Sequence, residues 1–150
     1  MKPVQKIVVP VDFAENTSKL VAYACYMAER LAATIHFVHV VAIYPGDVMI
    51  GAPFAEEYQD KVYFAAEERM AILVRDTEEK CPGCSGETVN GDPAEKIVEL
   101  AMAVDADLII TSTHGAKGLE KILLGSVAER VLKRAHCPVL IMNPFKKQKS

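Results

Sequence analysis

The chain has 150 residues, 51% of them apolar and 25% charged, with a formal net charge of −3. That length suits one domain, residues 1–150, around a single core, and the apolar share excludes a disordered chain. No basic stripe points to nucleic acid, and no apolar run reaches the roughly 20 residues of a membrane-spanning helix.

Met1–Pro10 holds too short an apolar stretch for a signal-peptide core and leads into a first strand. Ile7-Val-Val-Pro-Val11 is apolar and rich in β-branched residues, as in a strand buried on both faces. Asp12 to Asn16 is a polar break, with Asn16 or Thr17 as N-cap of a helix to Ala32. Leu20, Ala24, Met27 and Leu31 are its apolar stripe. Ile35 to Val41 is the second strand, and Ala42 to Pro53 is a loop punctuated by Pro45, Gly46, Gly51 and Pro53.

A long helix is expected from Ala55 to Glu79, with Val62, Ala65, Ala66, Met70 and Leu73 on its apolar side. Cys81-Pro-Gly-Cys84 ends it, and Glu87 to Asn90 is a short third strand. Gly91-Asp-Pro93 is a helix entry, with Asp92 as N-cap and Pro93 at the first helical position. Ile97, Val98 and Ala101 line that helix. Asp107 to Thr111 is the fourth strand, Val127 to Arg134 the last helix with Ala128, Val131, Leu132 and Ala135 inward, and Val139 to Met142 the fifth strand. Strands alternating with helices imply an α/β fold with a mostly parallel sheet covered on both faces.

Ser112-Thr-His-Gly115 follows the fourth strand, and Gly125-Ser126 comes after a further nine residues. An apolar strand that turns at glycines and reopens as a helix offers unpaired backbone amides to an anion. The dinucleotide fingerprint G-x-G-x-x-G is absent after the first strand, the P-loop pattern occurs nowhere, and a flavodoxin-type phosphate loop is missing. With strands one and four adjacent at a reversal of strand order, Val11-Asp12 and Ser112–Gly115 would face one crevice, with Val40-Val41 beside it. Asp12 would repel phosphate, so it belongs with adenine or ribose, or else ties down the loop entering the first helix. Val40 could read an adenine edge through its main chain, or simply fill core. Ser126-Val-Ala-Glu129 is also a capping box, which needs no ligand.

Lys117 and Lys121 could approach phosphate, although loop lysines are usually just solvated. His114 could bond a phosphate or a neighbouring loop. Four cysteines, two of them in apolar segments, suit a reducing cytoplasm. Cys81 and Cys84 could be redox-active or half a zinc site, but the pair follows a helix and lacks two further ligands nearby.

Three segments make the chain similar to the universal stress protein family: Ile7-Val-Val-Pro-Val-Asp-Phe13, Gly91-Asp-Pro-Ala94, and Ser112-Thr-His-Gly115 through Gly125-Ser-Val-Ala-Glu-Arg130 to Cys137-Pro-Val-Leu-Ile141. The resemblance spans essentially the whole chain. It implies an open five-stranded parallel sheet in the order 3-2-1-4-5, a Rossmann-like three-layer sandwich of the adenine nucleotide alpha-hydrolase-like type. It also implies homodimers, here through the edge strand Val139–Met142, and ATP binding in one branch. That branch carries G-x-x-G, nine residues, then G-[ST]; Gly115, Gly125 and Ser126 match, whereas Ser112 stands at the first glycine.

Transferred to this chain, the nucleotide site takes Pro10, Val11 and Asp12 after strand one and Val40 in strand two. Ser112, His114 and Gly115 after strand four and Gly125, Ser126 and Val127 at the last helix complete it. The cofactor is ATP, with or without Mg2+; no catalytic or metal-ligating residue is assigned. The expected function is a cytoplasmic, dimeric, ATP-binding stress-response module, not an enzyme beyond slow hydrolysis. The alternative is a family member without nucleotide that serves as a protein-interaction scaffold, which Ser112 favours. A monomer whose basic tail shields the sheet edge is the alternative to the dimer.

Overall fold

Ile7, Val8 and Val9 are all completely buried, although successive side chains of a strand point to opposite faces. The first strand must therefore be covered on both sides. The computed structural model describes residues 2–43, 52–113 and 124–145, the side chains of 52–55 excepted. In chain order it shows β1 (Lys6–Pro10), α1 (Thr17–Leu31), β2 (Thr34–Ala42), α2 (Ala52–Thr77), β3 (Ser85–Gly91), α3 (Pro93–Ala103), β4 (Leu108–Ser112), α4 (Ser126–Arg134) and β5 (Val139–Met142). The strands form one sheet in the order β3-β2-β1-β4-β5, and every pairing is parallel.

Ile7, Val9, Ile35, Phe37 and Ile110 pack with Leu20, Ala24, Cys25 and Ala28 of α1 and Met70 of α2. On the opposite face Val8, Val38 and Ile109 pack with Ala94, Ile97 and Ala101 of α3 and Val131 of α4. The expected three layers and strand order are present.

Helix faces differ in detail from their sequence patterns. α1 buries Ala28 and leaves Leu31 37% exposed. α2 starts at Ala52, inside the expected loop, and its buried line is Ala66, Met70 and Thr77, with Tyr63 half-buried and donating to the Thr88 carbonyl at 2.9 Å. Val62 and Ala65 face outward. Ala66 and Met70 are buried and Leu73 packs against the core as expected, but the inward line starts and ends on the polar-tipped Tyr63 and Thr77, which hydrophobicity alone does not mark. In α4, Ala128 and Val131 are buried while Leu132 is 49% exposed.

Asn16 occupies the N-cap position of α1 but makes no side-chain cap bond. The loop is held instead by Asp12, whose Oδ1 accepts from Ala14 N–H at 2.9 Å and Thr17 Oγ1 at 3.1 Å. The Gly-Asp-Pro entry behaves as expected: Asp92 caps α3 by accepting from Glu95 N–H at 3.0 Å, and Pro93 is the first helical residue. Asp107 ties down the approach to β1, accepting from Gln5 and Lys6 N–H at 2.9 and 3.0 Å. Those two amides, then the Lys2 ammonium, hold its carboxyl below the usual carboxylate range.

Candidate functional site

From β1 the chain moves one way to β2 and β3, and the later strands β4 and β5 lie on the other side. The reversal falls at the seam where Ile7 pairs with Leu108 and Val8 with Ile109. Crossovers leave such a seam in opposite directions, which opens a crevice beyond the carboxyl ends of the two strands. The juxtaposition expected of strands one and four is therefore present.

Pro10 is the last residue of β1 and pairs with Val38. Val11 continues the line: its N–H donates to Val38 O at 2.8 Å. Its carbonyl then takes a bond from an imidazole in place of a strand amide, at 2.7 Å from His39 Nδ1. Because a carbonyl only accepts, Nδ1 carries the proton. Phe13 next adopts φ 58°, uncommon for a bulky side chain, and its ring lies 4.7 Å from the His39 ring. His39 and Phe13 thus set how the chain leaves the sheet and where Asp12 stands. Asp12 is exposed, and its Oδ2 has no partner among the described residues.

Val40 is half-buried and packs toward the α3/α4 core. In a parallel ladder alternate residues present their N–H and C=O to the same neighbour. Val38 serves β1 through its bond to Val11, so Val40 is the next residue facing that side, where β1 has already ended. Its main chain lines the crevice.

Ser112 is the last residue of β4 and pairs with Met142. Thr113 then donates N–H to Met142 O at 2.9 Å and accepts from Gly125 N–H at 2.7 Å. His114, Gly115, Lys117 and Lys121 lie outside the described residues. The Gly125–Thr113 bond docks the start of α4 against the end of β4.

The expected capping box is not formed. Gly125, not Ser126, is the N-cap, and it has no side chain with which to cap. Ser126 is the first helical residue, so Glu129 sits one position too late for the box; its carboxylate meets Lys133 Nζ at 2.8 Å. Gly125's own N–H is engaged by Thr113, and the next amides of the turn are those of Ser126, Val127 and Ala128. These have no intrahelical acceptor and no other acceptor among the described residues. Aligned amides at a positive helix end are suited to an anion.

A further contact has no local trace in the sequence. Arg130, one turn into α4, forks onto Asp92 with bonds of 2.9 and 2.8 Å, across 38 residues of chain. Arg130 foremost, then the Glu95 amide, holds the Asp92 carboxyl below the usual range.

Cys81 and Cys84 are free, buried thiols. Burial first, then neighbouring groups including Glu78, pushes both up to about 11, the reverse of an activated thiolate. Glu78 accepts from Gly83 N–H at 3.0 Å and meets the Cys84 thiol at 3.6 Å, so the segment is a packed helix exit. Among the described residues no group of three or more His, Cys, Asp or Glu could hold a metal ion, and no helix is long and apolar enough to cross a membrane.

Comparison with known proteins agrees with this architecture. Universal stress protein MJ0531 of Methanocaldococcus jannaschii is 35% identical over 147 residues, covering 96% of this chain and 85% of its own length. The solved structure of MJ0577 from the same organism superposes with a TM-score of 0.82 at 28% identity, covering 99% of this chain and all of that one. A universal stress protein from Archaeoglobus fulgidus, solved in complex with dAMP, shares the fold with a TM-score of 0.59 at 23% identity, covering 93% and 98% of the two chains. The sequence model described as the universal stress protein family matches residues 3–143, and with this strand order and this crevice the chain belongs to that family.

Proposed function

We propose that the crevice binds ATP, with or without Mg2+, and that the chain is a cytoplasmic, homodimeric stress-response module that acts through occupancy and not through catalysis. The observation that carries this is the open first turn of α4, with three amides lacking acceptors among the described residues and docked on β4 by the Gly125–Thr113 bond. The donor set fits the ligand. Amides and a helix N-terminus take phosphate oxygens. The Asp12 carboxylate suits ribose hydroxyls and is unsuited to phosphate. Val40's main chain offers a donor and an acceptor to an adenine edge, with Pro10 and Val11 forming the adjoining wall.

Gly125 has φ −60° and ψ 151°, a conformation any residue adopts. Backbone conformation therefore gives no reason for glycine, and room for an approaching phosphate does. The Archaeoglobus fulgidus relative solved with dAMP carries the same class of ligand. The dimer would form at β5, which lies at the sheet edge with all four residues half-buried. An apolar edge that pairs with its copy is a self-complementary solution. Light scattering after size exclusion tests it.

The competing function is a protein-interaction scaffold without nucleotide. Ser112 favours it by placing a side chain where the ATP-binding pattern has glycine. Equilibrium dialysis with labelled ATP and Mg2+ separates the two. Saturable, equimolar binding is expected, and no binding at millimolar ATP would leave the scaffold.

A further inference from the structure

The Gly91-Asp-Pro segment and Arg130 stand apart in sequence, 38 residues separating Asp92 from Arg130. They meet through one carboxylate with two tasks. Asp92 Oδ2 accepts from Glu95 N–H at 3.0 Å, which caps α3, and from Arg130 Nη2 at 2.8 Å; Oδ1 accepts from Arg130 Nη1 at 2.9 Å. The two parallel guanidinium bonds fix orientation as well as distance. Arg130 lies four residues after Ser126, on the same face of α4, and a helical side chain covers the turn N-terminal to its own Cα. The guanidinium therefore braces the turn whose amides are open.

From this we infer that Asp92 is a positioning residue for the phosphate end of the proposed nucleotide site, acting through Arg130 without touching ligand. The inference rests on the ATP-binding function proposed above. Among the described residues, hydrogen bonds hold the start of α4 on β4 through Gly125–Thr113 and on the N-terminus of α3 through the Arg130–Asp92 fork, beside the packing of buried Ala128 and Val131. Opening the fork removes the charged bond and leaves the Gly125–Thr113 bond and apolar packing, which is less directional. The three amides then lose their fixed aim, and oriented amides bind an anion in proportion to their preorganisation. The fork also stands on a rigid base, because β3 runs in register with β2 up to the Gly91–Ala42 pair that precedes the cap.

Electrostatics alone predicts the opposite sign for one partner. Removing the Asp92 charge would free the Arg130 cation to attract phosphate and tighten ATP binding, whereas positioning predicts that loss of either partner weakens it. Asp92→Asn is the informative change, since asparagine caps a helix as well as aspartate does but cannot hold the charged fork. Arg130→Gln is its counterpart.

The test is the ATP dissociation constant, with Mg2+, for the unsubstituted chain, Asp92→Asn, Arg130→Gln and the double variant, measured well below each unfolding midpoint. At such temperatures a purely stabilising contact leaves the constant unchanged, because nearly all chains remain folded. Expected is a weakening of about tenfold in each single variant, with the double variant no weaker than either. Tighter binding by Asp92→Asn, or unchanged binding in both single variants, overturns the positioning role while leaving the ATP site in place. If the unsubstituted chain itself fails to bind ATP, the proposed site falls and this role with it.

Discussion

Replacing Gly91 by alanine isolates what one backbone angle contributes to the corner that carries Asp92. Gly91 has φ +144°, a region L side chains rarely adopt. An added Cβ would lie 2.8 Å from Lys96 Cε and 3.0 Å from Lys96 Cγ. The two effects differ in weight. Lys96 is a flexible side chain, 38% exposed and pointing to Glu99 at 3.0 Å, so it can swing aside at little cost. The backbone cannot relax as easily. Gly91 is in register with Ala42, its carbonyl accepts from Ile43 N–H at 3.2 Å, and the next residue is the N-cap of α3. Most of the penalty should therefore be conformational, about 1–3 kcal/mol. In a chain of this length each kcal/mol moves the melting temperature by roughly 2–4 °C, so a fall of roughly 2–12 °C is expected. Thermal unfolding followed by circular dichroism, on Gly91→Ala, Lys96→Ala and the double variant, measures it. The deficit should persist when Lys96 is also truncated. An unchanged midpoint for Gly91→Ala, or full recovery in the double variant, would refute the conformational account.

Gly125→Val should abolish ATP binding and leave the chain folded, since φ −60° and ψ 151° suit valine; normal binding measured by dialysis would show the phosphate assignment to be wrong. Acid should destabilise the protein partly through Asp107, whose carboxyl lies lower in the folded chain than its ordinary value. That contribution is complete above a pH of about 4 and is lost as pH falls through the lowered folded value. Urea midpoints should consequently drop less steeply with acid in Asp107→Asn than in the unsubstituted chain, and equal slopes would count against this. Cys81 and Cys84, buried and pushed up to about 11, should stay silent to a thiol reagent at mildly alkaline pH and react once urea is added; prompt reaction of either in the folded protein would contradict their burial.

Much of the fold was legible in local pattern. The run Ile7 to Val11 announced a strand covered on both faces, and alternation with helical spacings implied the three layers. Gly91-Asp-Pro93 located a helix start to the residue, because a cap and a following proline are local devices. The glycine spacing after β4 pointed to the end of the sheet where the crevice lies.

What spacing could not supply was direction and distance. In α2 two overlapping helical lines compete, and the inward one runs through Tyr63 and Thr77, whose polar groups disguise it. Ser126 and Glu129 read as a capping box, yet Gly125 takes the cap because its N–H is drawn to Thr113. His39 reaches back to Val11 across 28 residues and Arg130 to Asp92 across 38. The amino-acid sequence by itself determined the kind and order of the elements, since propensity and periodicity act within a few residues. Only the tertiary structure decided which amides lack acceptors among the described residues and what holds them in place, since those depend on contacts between segments that no local pattern brings together.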